Sequence, residues 1–145
     1  MNLEDMYKSL ILEHNRHPKN FGILENCTHQ AEGKNPVCGD QYTLYAKVEK
    51  NIVHAITFSG EGCAISKASA SIMTTLLTGK SLNECEQMKD AFTHMLTDEN
   101  PKKPEDKTSV FFGVREFPGR VKCATLAWHA LSHALKNAGE VISTE

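Results

Sequence analysis

Three cysteines stand in settings that would expose a thiolate: Asn35-Pro36-Val37-Cys38-Gly39-Asp40, Gly60-Glu61-Gly62-Cys63 and Gly119-Arg120-Val121-Lys122-Cys123. With Asp40, two residues beyond Cys38, they supply three sulfurs and one oxygen, the number of donors that a tetrahedral zinc ion takes. The donors are scattered rather than packed into short pairs, so spacing alone leaves a metal site and a sulfur-chemistry site both open. Gly39 permits close backbone approach beside Cys38, and the two-residue spacing would let Cys38 and Asp40 point the same way off an extended strand. Cys63 and Cys123 are predicted just before or at helix N-termini, where unpaired amides and the dipole favour a thiolate. Arg120 and Lys122 would strengthen that effect at Cys123, or form an ordinary solvated basic pair.

The other candidates read as structural. Cys85 falls on the apolar face of a predicted helix and should pack there, and Cys27 lies in a weakly patterned stretch as a bystander thiol. His129 and His133 share a helical spacing but lack the adjacent Glu of a zinc-protease helix, so they read as ordinary helix residues. His14 and His17, at the end of the first helix, suit a polar surface or a partner contact. No local motif supports a Cys-His catalytic pair.

These residues need elements to position them. Leu3, Met6, Leu10 and Tyr7 mark one side of an amphipathic helix over residues 3–15. Tyr42, Leu44, Ala46 and Val48 alternate, Lys50-Asn51 supplies a turn, and Ile52, His54, Ile56 and Phe58 alternate on the return, which predicts a hairpin. A third strand before Asn35 has weak alternation. Residues 64–78 carry a buried-helix pattern that stops at Gly79. Ser81-Leu82-Asn83-Glu84 has the capping-box form and opens a helix to Leu96. The charged stretch from Asp98 to Lys107, with Pro101 and Pro104, predicts a surface excursion. Phe117-Pro118-Gly119 is predicted as a turn before a last helix from Ala124 to about Ala138.

The whole predicts one α+β domain over residues 1–145, a small antiparallel sheet of about three strands packed against helices, with the cysteines converging at one end. At 145 residues and 40% hydrophobic composition the chain supports one core. A net charge of -2 with intermixed signs argues against a polyanion-binding surface, so no nucleic acid partner is expected. No apolar run suits a bilayer and the start is acidic rather than signal-like, which predicts a cytoplasmic protein without membrane association. Five cysteines, an odd number, fit reduced thiols better than a disulfide framework.

The three cysteine motifs, with Phe58-Ser59-Gly60-Glu61-Gly62-Cys63-Ala64-Ile65-Ser66 and Arg120-Val121-Lys122-Cys123-Ala124-Thr125-Leu126-Ala127-Trp128 in full, resemble the IscU/NifU-N family of iron-sulfur cluster assembly proteins. The resemblance covers nearly the whole chain and is closest to the SufU branch. Lys122 stands where scaffold members carry a histidine before the third cysteine. Residues 98–117 correspond to the extra segment of SufU members, and Phe117 to Lys122 replace the Leu-Pro-Pro-Val-Lys chaperone-docking motif.

The resemblance implies a Zn2+ ion held by Cys38, Asp40, Cys63 and Cys123. Cys38 would be the sulfur acceptor, taking persulfide sulfur from a cysteine desulfurase for iron-sulfur cluster assembly, with downstream cluster assembly proteins as further partners. Two other readings stay open: a scaffold that holds iron or a [2Fe-2S] cluster on the same cysteines, and a structural zinc-binding interaction domain.

Overall fold

The computed structural model describes residues 3–136 and 141–143. Its elements are α1 (Leu3–Arg16), β1 (His29–Asn35), β2 (Asp40–Glu49), β3 (Ile52–Glu61), α2 (Ala64–Leu77), α3 (Leu82–Thr97), a 3-10 helix (Lys107–Glu116), α4 (Pro118–Lys136) and β4 (Val141–Ser143). The side chains of Leu3, Met6 and Tyr7, and the end of the last helix expected near Ala138, lie outside the described residues.

The sheet order is β3-β2-β1-β4, with β1 to β3 antiparallel and the short β4 parallel to β1. The antiparallel part is the three-stranded sheet expected. Lys50 and Asn51 both take positive φ, 51° and 65°, as a two-residue hairpin turn matched to strand twist requires. The expected alternation on β3 fails in its first half. A register shift at Lys47/Val48 leaves His54 without a partner on β2, so Val53 is buried and His54 is exposed. One extra residue in one strand reverses the facing of everything beyond it.

The helices cover one face of the sheet. Helix α4 lies across β1 and β2, α2 packs on β3 and α4, α1 rests on α2, and α3 on α4. Trp128 stacks on Phe92 at 4.5 Å, and Phe92 meets Phe111 of the 3-10 helix edge-on. The indole Nε1 donates to Ser69 Oγ, which donates to the Ala124 carbonyl, so a buried polar stitch joins α2 to α4. Cys85 is buried on α3, as its apolar neighbours predict.

Helix α3 has the capping box read from Ser81 and Glu84. Residues 98–106 form the irregular surface excursion, and Val110, Phe111 and Val114 return the chain to the core. The last helix begins six residues earlier than expected, at Pro118 rather than Ala124. Proline is a good first helical residue because its missing N–H has no intrahelical partner there. Read as a helix breaker, it masked the true start.

Candidate metal centre

The β1–β2 loop is built by its two ends. Asn35 and Asp40 are the last register pair of the ladder, and the Cys38 N–H donates back to the Asn35 carbonyl at 3.2 Å. Gly39 closes the turn at φ +75°, left-handed geometry in which a side chain would be strained. The result sorts the loop by depth: Asn35 and Asp40 are 0% and 2% exposed, while Cys38 is exposed between them.

Asp40 is held on one side only. Its Oδ1 accepts the Cys63 N–H at 2.9 Å, and its Oδ2 is buried without a hydrogen-bond partner among the described residues. Cys63 is the N-cap of α2, as expected, and its sulfur accepts the Ser66 N–H at 3.4 Å. Ser66 also meets the Tyr42 hydroxyl at 2.9 Å. Gly62 makes this crowding possible: a Cβ there would lie under 3.0 Å from Tyr42 Oη, Ser66 Oγ and Asp40 Oδ1.

Cys123 departs from the sequence expectation. It lies on the second turn of α4 rather than at its N-terminus, and it is 2% exposed. Its sulfur accepts from Asn35 Nδ2 and donates to the Gly119 carbonyl, both at 3.6 Å. Burial pushes its thiol well above the ordinary range, and the nearby Cys38, Asp40 and Cys63 push the same way. Arg120 lies over the Phe117 ring at 4.8 Å, and Lys122 is exposed.

One sulfur or carboxylate oxygen from each of Cys38, Asp40 and Cys123 lies within 4.8 Å of the others. Donors on one tetrahedral zinc ion stand roughly 3.8 Å apart, so this trio needs only a small contraction to share an ion. The unpaired Asp40 Oδ2 is a buried acceptor that such an ion would satisfy. Two thiols and a carboxylate so close repel one another on ionisation, and a divalent cation removes that conflict. Cys63 stands outside the trio, with its sulfur engaged at the helix cap and its amide fixing Asp40. The residues present fit a metal ion.

Sequence reasoning missed Asn35, Tyr42 and Ser66 as parts of the site. Asn35 and Ser66 lay inside the motifs quoted, but nothing in their type marked them out from turn and cap residues. His14 also differs from expectation: it is 5% exposed, with Nδ1 at 2.6 Å from Ser71 Oγ, and so ties α1 to α2 rather than facing a partner. His129 and His133 are partly buried α4 residues outside the trio. Among the described residues, no helix is long and apolar enough to cross a membrane.

The chain is similar to known proteins along most of its length. The model of the NifU-like N terminal domain matches residues 6–140. The iron-sulfur cluster assembly scaffold protein IscU of Streptococcus pyogenes serotype M1 is 37% identical over 138 residues, covering 94% of this chain and 86% of that protein. The zinc-dependent sulfurtransferase SufU of Bacillus subtilis (strain 168) is 39% identical over 132 residues, covering 90% and 89%. A crystal structure of a putative iron-sulfur cluster assembly scaffold protein for the SUF system, from Fervidobacterium islandicum AW-1, superposes with a TM-score of 0.84 at 32% identity over 92% of this chain and 99% of that one. The chain therefore belongs to the NifU-like N-terminal domain family, with the IscU and SufU proteins of iron-sulfur cluster assembly.

Proposed function

We propose that this protein is a zinc-dependent sulfur acceptor that takes persulfide sulfur from a cysteine desulfurase and passes it on for iron-sulfur cluster assembly. The observation that carries the proposal is the contrast in depth: Cys38 is exposed on a glycine-closed loop, while Asp40 and Cys123 are buried beneath it. A purely structural site gains nothing from leaving one ligand open to a partner.

Cys38, Asp40 and Cys123 would hold the ion, and Cys63 would complete the set if its sulfur left the helix cap. Bound zinc would keep the thiolates deprotonated near neutral pH. The residues do the rest. The Cys63 amide fixes Asp40 by one oxygen and leaves the other for ligation. The Cys38 thiolate attacks the outer sulfur of the desulfurase persulfide; a new S–S bond forms at Cys38, the old one breaks, and the desulfurase cysteine leaves as a thiolate. No net oxidation occurs, because one S–S bond replaces another. Arg120 and Lys122, on the first two turns of α4, would offset the negative charge of the donors.

The test measures desulfurase turnover with cysteine, alongside the zinc content of wild type and Asp40→Ala. Wild type should stimulate turnover and carry about one zinc, Cys38→Ala should lose the stimulation, and Asp40→Ala should lose zinc. Stimulation that survives Cys38→Ala would exclude the acceptor role. Iron with sulfide in protein purified without oxygen would favour the scaffold reading, to which the relatives named IscU belong. Unfolding of Cys38→Ala would favour a structural zinc module.

A further inference from the structure

Beneath the trio lies a side chain that neither fold nor ligand set explains. Asn35 is 0% exposed at the end of β1, directly opposite Asp40 in the ladder. Its amide donates to the sulfur of Cys123, while its Oδ1 is buried with no partner among the described residues. As a structural device this is a poor arrangement: a weak N–H···S bond on one end and an unpaired buried carbonyl on the other, which costs about 1–3 kcal/mol. An apolar residue of similar shape would suit the core better.

The polarity of the contact gives the reason. Cys123 is a thiol that donates to Gly119, one turn back along α4, so its sulfur receives the Asn35 N–H as an acceptor. The Gly119 contact uses the sulfur's own proton, whereas the Asn35 contact needs only a sulfur lone pair. A neutral amide donor holds the sulfur in place without adding a cation that would compete with a metal ion.

We infer that Asn35 is a positioning residue for the metal centre: its amide fixes the Cys123 sulfur as a permanent anchor, so that Cys38 is the thiolate free to leave. This rests on the proposed zinc-holding site. Groups that hold metal ligands from behind are typically worth about 10–100-fold in metal affinity.

The experiment compares wild type with Asn35→Leu and Asn35→Val, apolar residues whose side chains have no hydrogen-bond donor. Zinc affinity is measured by competition with a chromophoric chelator, the sulfur-to-metal charge-transfer band is recorded after cobalt loading, and the melting temperature is taken on metal-free protein. Both variants should bind zinc about 10–100-fold more weakly. Their cobalt band should move to longer wavelength, because the sulfur loses the hydrogen bond that lowered its donor energy. Metal-free Asn35→Leu should melt at or above the wild-type temperature, since the unpaired carbonyl is gone. Zinc affinity within twofold of wild type, or an unmoved band, in whichever variants fold overturns the inference; so does failure of both to fold, which makes Asn35 a structural residue. If wild type itself takes up no zinc, the proposed function fails instead, and the two failures are thereby distinguished.

Discussion

Gly62→Ala is the sharpest test of how the site is assembled. The added methyl would meet Tyr42 Oη, Ser66 Oγ and Asp40 Oδ1, all under 3.0 Å, and these three groups come from two different elements. No single side-chain rotation clears them. Tyr42 is fully buried between the sheet and the helices, Asp40 is pinned by the Cys63 amide, and Ser66 sits in the first turn of α2. Overpacking a tight site costs about 1–3 kcal/mol, and loss of the Tyr42–Ser66 hydrogen bond adds about 1 kcal/mol. A total near 3 kcal/mol corresponds to a melting temperature lower by roughly 6–12 °C for a domain of this size. Urea unfolding of metal-free protein, followed by circular dichroism, measures it. Gly113→Ala is the control: a Cβ there meets nothing within 4 Å among the described residues, so stability should stay within about 0.5 kcal/mol. Equal midpoints for the two variants would refute the packing account, and zinc affinity retained in Gly62→Ala would show that Asp40 is not set by this contact.

The two thiols at opposite depths should respond differently in metal-free protein: Cys38→Ala should change stability by less than about 0.5 kcal/mol and Cys123→Ala should cost about 1–2 kcal/mol, read from urea midpoints. Burial, then the Lys107 and Lys19 charges, hold the His14 imidazole below its ordinary 6.5, while Glu13 opposes them. The unfolded chain therefore takes up the proton first, so stability should be full above about pH 6.5 and decline as pH falls from there through the lower folded-state value. His14→Gln should flatten that decline in a pH series of thermal melts, leaving a residual slope from His129, which burial depresses in the same direction. Glu86 joins α3 to α4: burial raises its carboxyl, but hydrogen bonds from Lys89, Ser132 and Lys136 outweigh this and bring it down to about 2. Its contribution should be complete above about pH 4.5 and lost as pH falls toward 2. At pH 7 a Glu86→Gln, Lys136→Met double-mutant cycle should give a coupling of about 0.5–1 kcal/mol, and zero coupling would refute the link.

The clearest failures of sequence reasoning have definite causes. Strand β1 looked weak because its inward residues are Ala31, Gly33 and Asn35. They are small or polar because α4 presses on them: a Cβ on Gly33 would lie 3.0 Å from Ala130 Cβ and 3.1 Å from Leu126 Cδ1. Hydrophobic alternation reports burial of large side chains, and it is silent where a helix packs close enough to forbid them. The burial of His14 was hidden for a related reason, since its partner Ser71 lies 57 residues away on the buried side of α2.

By itself the sequence determined what is local and chemical. Turn residues at Lys50-Asn51, the capping box at Ser81, the stop at Gly79 and the three cysteine motifs each act through neighbours in the chain, so their types and spacing suffice. Tertiary structure alone decided which donors meet and how deep they lie. It brought Cys38 and Asp40 to Cys123 from the far end of the chain, set Cys63 to hold Asp40 by its amide, and buried every member of the trio but Cys38. Exposure and mutual distance depend on how β1, β2, α2 and α4 pack together, and a linear pattern carries no record of that packing.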